Sequence, residues 1–188
     1  GDLVTADHLS SHGSPEFLGA EYAVVFRDVA TGWLDCFPKA TKGADDTLEA
    51  MNMFVSSKER VANFYSDDAP ELNAAAKRAG WRHSTATPGR PQTNGIAERS
   101  VRKVVEGIRT LLEASGLPTR WWARAARFFC LMHNTAKQPG CPTPSSLRHG
   151  HEFNGILAPF GSLVVYRPAL STTAKRFEPV GCNGVLGG

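Results

Sequence analysis

The sequence contains no long hydrophobic run. None of its apolar stretches approaches the roughly 18 residues that a membrane-spanning helix needs. Its first residues, GDLVTADHL, also lack the basic segment and apolar segment that together form a signal peptide. We therefore expect an intracellular protein with no membrane partner.

Cysteine is scarce as well, and its spacing forms no motif. The chain has 4 cysteines, which are Cys36, Cys130, Cys141 and Cys182. No two of them form a CxxC pair, and no His or Cys pair has a second half at the spacing of a zinc site. The cysteines are interpreted as reduced thiols, so neither a disulfide framework nor a structural zinc is predicted.

The composition is that of an ordinary folded domain, but its charges are unevenly distributed. Hydrophobic residues make up 41% and charged residues 21% of the 188 residues, which is enough for one domain with a sizeable core. Residues 1–72 carry 13 acidic and 5 basic side chains, whereas residues 73–127 carry 3 and 11. This asymmetry suggests one part that gathers metal ions and another that gathers phosphate groups, although chance segregation of solvated charges gives the same pattern.

Hydrophobic periodicity predicts strands and helices in a definite order. Alternating β-formers indicate strands, and apolar residues three and four apart, such as Leu48, Met51 and Phe54, indicate helices. In chain order the prediction gives a strand from Leu3 to about Asp7, two strands within 21–38, a helix within 42–61, a strand at 61–67, a helix at 72–80, a strand at 81–86, helices at 94–115 and 119–136, and a strand within 160–168. Residues 138–146 are expected to form a loop.

This order predicts the fold class. Three meandering strands followed by α/β crossovers are typical of a ribonuclease H-like domain, an α/β fold with a mixed five-stranded sheet and helices on both faces. We assign residues 1–140 to this core and residues 141–188 to a C-terminal extension that is partly irregular.

Three carboxylates fall where such a fold would bring them together. Asp7 ends the first predicted strand, Asp67 ends the fourth, and Glu98 lies in the first turns of the helix at 94–115. Converging carboxylates repel one another unless a cation neutralises them. Oxygen ligands of this kind suit Mg²⁺, and two such ions can clamp an in-line phosphoryl displacement. Asp68 is an alternative to Asp67 as the second ligand.

Three other polar side chains near these strands are interpreted differently. Asp28, in RDVATGW, is read as a turn-forming residue at the end of the second strand. His8 and His12 lie close to Asp7, but surface loop positions are the more common reading for such histidines, and they are not assigned as proton shuttles.

One segment is specific enough to suggest a family. The run TPGRPQTNGIAER, residues 87–99, passes from a stiff polar loop into a basic helix, and SDDAPEL precedes it at residues 66–72. Together they resemble the catalytic core of retroviral and retrotransposon integrases, most closely those of copia-type retrotransposons. Downstream segments, APFGSLVVY and RFEPVGCNGVLGG, are similar to landmarks of that group, so the resemblance covers essentially the whole chain.

The resemblance implies a metal-dependent polynucleotidyl transferase, cut from a retrotransposon polyprotein, that carries out DNA 3′-end processing and strand transfer during DNA integration. It implies that Asp7, Asp67 and Glu98 are the catalytic residues and the metal ligands for two Mg²⁺ or Mn²⁺ ions. Asp7 and Asp67 would bind one ion, and Asp7 and Glu98 the other. No covalent protein intermediate is needed.

The same resemblance implies nucleic-acid contacts beside the carboxylates. The loop is expected to close on DNA, and the cations of the helix are expected to meet backbone phosphates. The expected contact residues are Arg90, Gln92, Asn94, Arg99, Arg102 and Lys103. The implied partners are the element's DNA ends, the target DNA and further copies of the chain, with the nucleus of a eukaryotic host as the site of action.

Two departures from the family pattern favour an alternative function. The second motif reads Asp67-Asp68-Ala69, where Asp-Asn-Gly is usual, and fewer residues than usual separate Asp67 from Glu98. The alternative is a catalytically decayed or domesticated nucleic-acid-binding module. A ribonuclease H proper is a third reading, but that class lacks the segment at residues 87–99.

Overall fold

The computed structural model describes residues 2–12, 19–55, 59–85, 94–167 and 181–187. In these ranges the chain forms strands and helices whose order matches the prediction, with one helix and one strand added. The elements are β1 (Leu3–Ser10), β2 (Tyr22–Asp28), β3 (Leu34–Lys39), α1 (Ala44–Phe54), β4 (Asn63–Ser66), α2 (Pro70–Ala79), β5 (His83–Thr85), α3 (Gly95–Ser115), α4 (Trp122–Thr135), α5 (Pro144–His149), β6 (Leu163–Tyr166) and β7 (Cys182–Val185).

The first five strands form one mixed sheet. Its order is β3-β2-β1-β4-β5, with β1–β2 and β2–β3 antiparallel and β1–β4 and β4–β5 parallel. A short turn at residues 29–33 connects the antiparallel strands β2 and β3, and the helices α1 and α2 provide the crossovers that the parallel half requires. The predicted fold class, a ribonuclease H-like α/β domain with a mixed five-stranded sheet, is confirmed.

Helices cover both faces of this sheet, as predicted. On one face, Val4 and Ala6 of β1 pack with buried residues of α1 and α2. On the other face, Val25 of β2 packs with α3 and α4. Since side chains alternate along a strand, Thr5 and Asp7 lie on the α3 side of the sheet, opposite to Val4 and Ala6.

The helices α3 and α4 approach each other closely at one glycine. Gly107 is buried in the middle of α3, and a Cβ atom added there would overlap the ring of Phe129 in α4. This fit sets how closely the two helices pack side by side on the sheet, with α3 against β1 and β2 and α4 against β3. The helix ends at Gly116, whose φ of 66° is the left-handed conformation that favours glycine at a C-terminus.

A buried amide fastens α4 to the outer strand of the sheet. The side chain of Asn134 accepts a hydrogen bond from Leu34 N at 2.9 Å and donates one to Leu34 O at 2.7 Å. Leu34 lies in β3, one of the two edge strands of the sheet, so the amide satisfies backbone groups that no neighbouring strand pairs.

Two boundaries depart from the sequence prediction for a clear physical reason. The predicted end of the first strand near Asp7 is wrong, because β1 continues to Ser10 through antiparallel pairing with β2. The predicted loop at residues 138–146 is wrong at its end, because α5 begins at Pro144 after Thr143, whose side chain accepts a hydrogen bond from Ser146 N. Proline is tolerated at a first helical position, so it did not break this helix.

The C-terminal part adds a small separate sheet. Strands β6 and β7 pair antiparallel, and β7 was not predicted because CNGV contains few strand-forming residues. The helix α5 contacts the core through Arg148, which donates to Phe54 O and to Glu59. The division at residue 140 stays a prediction. No helix in the described ranges is both long and apolar enough to span a membrane.

Candidate active site

The register of the sheet brings Asp7 and Asp67 side by side. The parallel pairing of β1 with β4 matches Thr5 with Tyr65. Continuing that register by two residues aligns Asp7 with Asp67, which follows the last residue of β4. The alternation of side chains then directs both carboxylates from the same face of the sheet, the face that α3 covers.

Glu98 reaches this place from the first turn of α3, which packs on β1 and β2. The charge of Glu98 acts on the Asp7 carboxylate. Burial is the largest cause that raises the pKa of Asp7 to about 6; the charges of Asp67 and Glu98 act in the same direction, and the hydrogen bond from the His8 amide opposes them. That amide donates to Asp7 Oδ1 at 2.7 Å. The structure therefore places the three predicted carboxylates in one electrostatic cluster, although they come from three separate elements.

The two candidate residues for the second position have different surroundings. Asp68 is exposed and accepts a hydrogen bond from Asn73 Nδ2 at 2.8 Å. Asp67 is half-buried, and its Oδ1 atom is buried without a hydrogen-bond partner in the described residues. Asp67 also acts on the pKa of Asp7, whereas Asp68 does not. These surroundings favour Asp67 as the carboxylate that acts with Asp7.

The other face of β1 carries His8, which is not a surface loop residue. Thr47 Oγ1 donates to Gly43 O at 2.9 Å, so it has no hydrogen left for the contact of 3.2 Å with His8 Nε2. His8 must therefore donate from Nε2. Burial, together with the charge of Lys42, lowers the pKa of His8 to about 4, so the ring is neutral near pH 7. His8 fixes β1 to α1 and does not face the carboxylates.

Lys42 is a cation beside this cluster. Its Nζ lies 3.0 Å from Glu71 Oε1, and this hydrogen bond raises the pKa of Lys42. Its charge also acts on Asp7 and Asp67. Lys42 is about half-exposed, so the ammonium group borders both the carboxylates and solvent.

The backbone at Asp67 is held by a buried brace. Ser66 Oγ donates to Asp67 O at 2.8 Å, so the contact of 2.8 Å between Ser66 Oγ and His83 Nε2 requires the histidine to donate. Burial lowers the pKa of His83, which favours the neutral ring, and the contact with Ser66 assigns the remaining proton to Nε2. Ser66 and His83 thus orient the backbone at the end of β4, where Asp67 follows the strand.

The structure describes only some of the predicted nucleic-acid contact residues. Arg99, Arg102 and Lys103 are exposed on α3, and Arg102 lies one turn beyond Glu98. Asn94 is 8% exposed, and its Oδ1 is buried without a partner in the described part of the chain. Arg90 and Gln92 lie outside the described residues, as does most of the predicted loop.

The residues present fit a divalent metal, but not as a single three-ligand site. In the described ranges, no three His, Cys, Asp or Glu side chains converge closely enough to hold one ion together. The resemblance implies pairs of carboxylates instead, and the unpartnered Asp67 Oδ1 beside the clustered charges around Asp7 has the chemistry that a hard cation accepts. The identity and number of the ions stay a prediction.

Comparison with known proteins places the chain among mobile-element proteins. No protein-family model matches it. It is 30% identical over 151 residues to the retrovirus-related Pol polyprotein from transposon TNT 1-94 of Nicotiana tabacum, covering 75% of this chain and 11% of that protein. It is 31% identical over 110 residues to the corresponding polyprotein from transposon RE2 of Arabidopsis thaliana, covering 55% and 8%. The chain is a homologue of retrotransposon Pol polyproteins. It spans about a tenth of the length of these relatives.

The fold of this Pol homologue is that of retroviral integrase cores. The catalytic core domain of BIV integrase matches with a TM-score of 0.53 at 17% identity, over 77% of this chain and 91% of that one. The HTLV-2 integrase catalytic core domain in complex with magnesium, in trimeric form, matches with 0.58 at 16%, over 79% and 96%. A simian T-cell lymphotropic virus intasome in complex with PP2A regulatory subunit B56 gamma matches with 0.63 at 15%, over 98% and 67%. The predicted resemblance is thereby confirmed: the chain is homologous to retrotransposon Pol polyproteins and has the fold of retroviral integrase cores.

Sequence reasoning did not identify Lys42, Ser66 or His83 in this integrase-like core. Lys42 joins the site only because α1 and α2 pack together and bring it to Glu71. A serine directly before a site aspartate is a weak signal, and the partner histidine lies 17 residues away on β5. Only the strand pairing of β4 with β5 shows that the two act together.

Proposed function

We propose that this chain is the catalytic core of a divalent-metal-dependent polynucleotidyl transferase that processes DNA 3′ ends and joins them to target DNA. One observation carries the proposal. Carboxylates from β1, the end of β4 and the start of α3 lie close enough together for Asp67 and Glu98 to raise the pKa of Asp7. Clustered carboxylates oppose their own ionisation, and a bound divalent cation relieves this repulsion.

The proposed ligands are Asp7, Asp67 and Glu98, with Asp7 shared between two Mg²⁺ or Mn²⁺ ions. When bound, such ions supply activation of the attacking oxygen and stabilisation of the leaving oxygen in phosphoryl displacement. The protein's own contribution is positional. The His8 amide orients the Asp7 carboxylate, and Ser66 holds the backbone that carries Asp67.

The substrate and the assembly belong to the same proposal. The element's DNA ends and the target DNA are the proposed substrates, with Arg102 contacting a phosphate beside Glu98. Similarity to one structure described as an intasome and to another in trimeric form supports a homo-oligomer as the working state. We place the site of action in the nucleus of a eukaryotic host.

A strand-transfer or disintegration assay on a branched DNA oligonucleotide, with Mg²⁺ or Mn²⁺, tests the proposal. Glu98→Gln removes one proposed ligand charge while keeping the shape of the side chain, and we expect activity to fall by about 100-fold or more. Glu106→Gln is the matched control, because Glu106 is exposed on the same helix two turns further along.

The outcomes separate the candidate functions. Loss of activity in Glu98→Gln but not in Glu106→Gln supports the transferase. Unchanged activity in Glu98→Gln would contradict the assignment of the site. Absence of activity in the wild-type chain, with DNA binding intact, would favour the decayed or domesticated binding module.

A further inference from the structure

The loop that follows β3 lies at the edge of the sheet that carries the carboxylate cluster of Asp7, Asp67 and Glu98. Strand β3 is antiparallel to β2, and β2 is antiparallel to β1, so β3 runs in the same direction as β1 and β4. The carboxyl ends of these three strands therefore meet at one edge. Residues 40–43 leave β3 at this edge and lead into α1, and Lys42 is the cation of that loop.

An acidic side chain of α2 holds Lys42 in place. Lys42 Nζ lies 3.0 Å from Glu71 Oε1, and Glu71 is in the first turn of α2, four residues after Asp67. His8 Nδ1 lies 3.9 Å from the same oxygen, but the His8 ring is neutral near pH 7. Within the described residues, Lys42 is therefore the charged partner of Glu71. This ion pair joins the loop before α1 to the start of α2 and keeps the charge of Lys42 within reach of Asp7 and Asp67.

The ammonium group of Lys42 can bind a further ligand. A lysine has three N–H donors, and the ion pair with Glu71 occupies one of them. In the part of the chain that the structure describes, no second acidic side chain lies within ion-pair distance of Lys42. The Lys42 side chain is 48% exposed, whereas that of Glu71 is 19% exposed, so a ligand can reach Nζ from solvent. Exposed ion pairs contribute little to stability, so this pair is a weak device for holding the fold alone.

We infer that Lys42 contacts a phosphate group of the DNA strand that occupies the carboxylate cluster. The inference rests on the proposed function, which supplies the DNA. Helix α3 covers one face of the sheet, and α1 and α2 cover the other, so Lys42 meets the strand from the side opposite to α3. Carboxylates repel a phosphate, and a cation fixed beside them offsets that repulsion. An ammonium group suits this role because it acts as a compact point charge that needs no fixed plane.

Binding of a fluorescent DNA duplex with dideoxy 3′ ends, which cannot be joined, tests the inference by anisotropy in Mg²⁺. We expect Lys42→Gln to weaken binding by about 3- to 10-fold and to reduce the salt slope by about 1. Lys42→Arg keeps the charge and should retain most of the affinity. Lys77→Gln is the matched control, since Lys77 is exposed in the last turn of α2. Equal losses in Lys42→Gln and Lys77→Gln would overturn the inference, because they would reflect net charge alone.

A scan of the DNA backbone identifies the contacted phosphate. Neutral methylphosphonates replace one phosphate at a time near the 3′ end, and each duplex is titrated with the wild-type chain and with Lys42→Gln. At one or two positions we expect the neutral group to weaken binding of the wild type but not of Lys42→Gln, because the variant has already lost that contact. A scan without any such position would contradict the proposed contact.

A footprint on the wild-type chain makes the test independent of any folding defect in a variant. The chain is acylated with an amine-reactive ester, and modification of Lys42 and Lys77 is compared by mass spectrometry with and without DNA. Protection of Lys42 but not of Lys77 supports the inference. Equal modification of Lys42 with and without bound DNA would overturn it.

These readouts separate the two proposals. If the contact of Lys42 is found but the chain joins no DNA, the catalytic proposal fails while the contact stands. If the chain joins DNA and Lys42→Gln binds DNA as tightly as the wild type, the contact fails alone. A wild-type chain that binds no DNA would overturn both.

Discussion

The ionised form of Asp7 destabilises the metal-free protein. Burial and the neighbouring carboxylates raise its pKa to about 6, well above the value of an aspartate in an unfolded chain. The folded state therefore binds the proton more tightly than the unfolded state does. Stability is greatest below about pH 4 for this group and falls as the pH rises towards 6. The ionised Asp7 carboxylate, which the proposed metal site requires, thus lowers the stability of the metal-free protein.

Asp7→Asn should consequently stabilise the metal-free protein at pH 7.5. After allowance for solvent screening, we expect the free energy of unfolding to rise by about 1–2 kcal/mol. The gain should disappear at pH 4, where wild-type Asp7 is protonated. Urea unfolding in EDTA across this pH range measures both effects. Asp2→Asn, an exposed position, is the control, and a gain of the same size there would contradict the argument.

Ser66 gives a second prediction for a single side chain. Ser66→Ala removes the donor to Asp67 O and leaves His83 Nε2 without its acceptor. We expect strand transfer to fall by about 10-fold, together with a higher Mg²⁺ concentration for half-maximal activity, because the backbone of Asp67 is less firmly placed. DNA affinity in EDTA should be unchanged. A matching loss of DNA affinity would indicate general unfolding instead.

Among the elements, α3 depends most on a single contact. A glycine in a helix interior is normally improved by alanine, by about 1 kcal/mol. At Gly107 the added methyl group would meet the ring of Phe129, so the sign should reverse.

We expect Gly107→Ala to lower the free energy of unfolding by about 1–3 kcal/mol, as overpacking does elsewhere. Chemical denaturation measures this change. Glu113→Ala, an exposed change on the same helix, should have little effect. A stabilised Gly107→Ala variant would show that the ring of Phe129 moves aside for the methyl group at little cost in free energy.

The elements also show what sequence could and could not predict. The order of strands and helices along the chain and the long helix α3 follow from strong periodicity, and Asp7, Asp67 and Glu98 were identified because they lie next to predicted element ends. The strand β7 was missed since its residues become a strand only by pairing with β6. Lys42 and the brace of Ser66 were missed for the same reason, because long-range packing creates them.

At the scale of the whole molecule, charge is divided between the parts of the chain. The acidic N-terminal part supplies Asp7 and Asp67, and the basic middle part supplies Glu98 among several cations. A nucleic-acid ligand would then be held by its phosphates on one side while its reacting group meets the carboxylates.

Binding should therefore depend steeply on salt. If the cations of α3 contact about four phosphates, the logarithm of affinity should fall against the logarithm of salt with a slope of about −3 to −4. Titrations of a DNA duplex from low to high salt provide the slope. An affinity that does not change over this range would argue against a phosphate-dominated interface.

The amide of Asn134 has a consequence for how copies of the chain can meet. Every second residue of β3 directs its backbone N–H away from β2, and none of these positions has an N–H free to bond to another strand. Leu34 N bonds to Asn134, Cys36 N bonds to the Asp35 carboxylate, and Pro38 has no N–H. A strand from another molecule would find no free N–H group along this edge, so we expect no extension of the sheet through β3 into another subunit. Any multimer joined on this side must be held by side chains and helices.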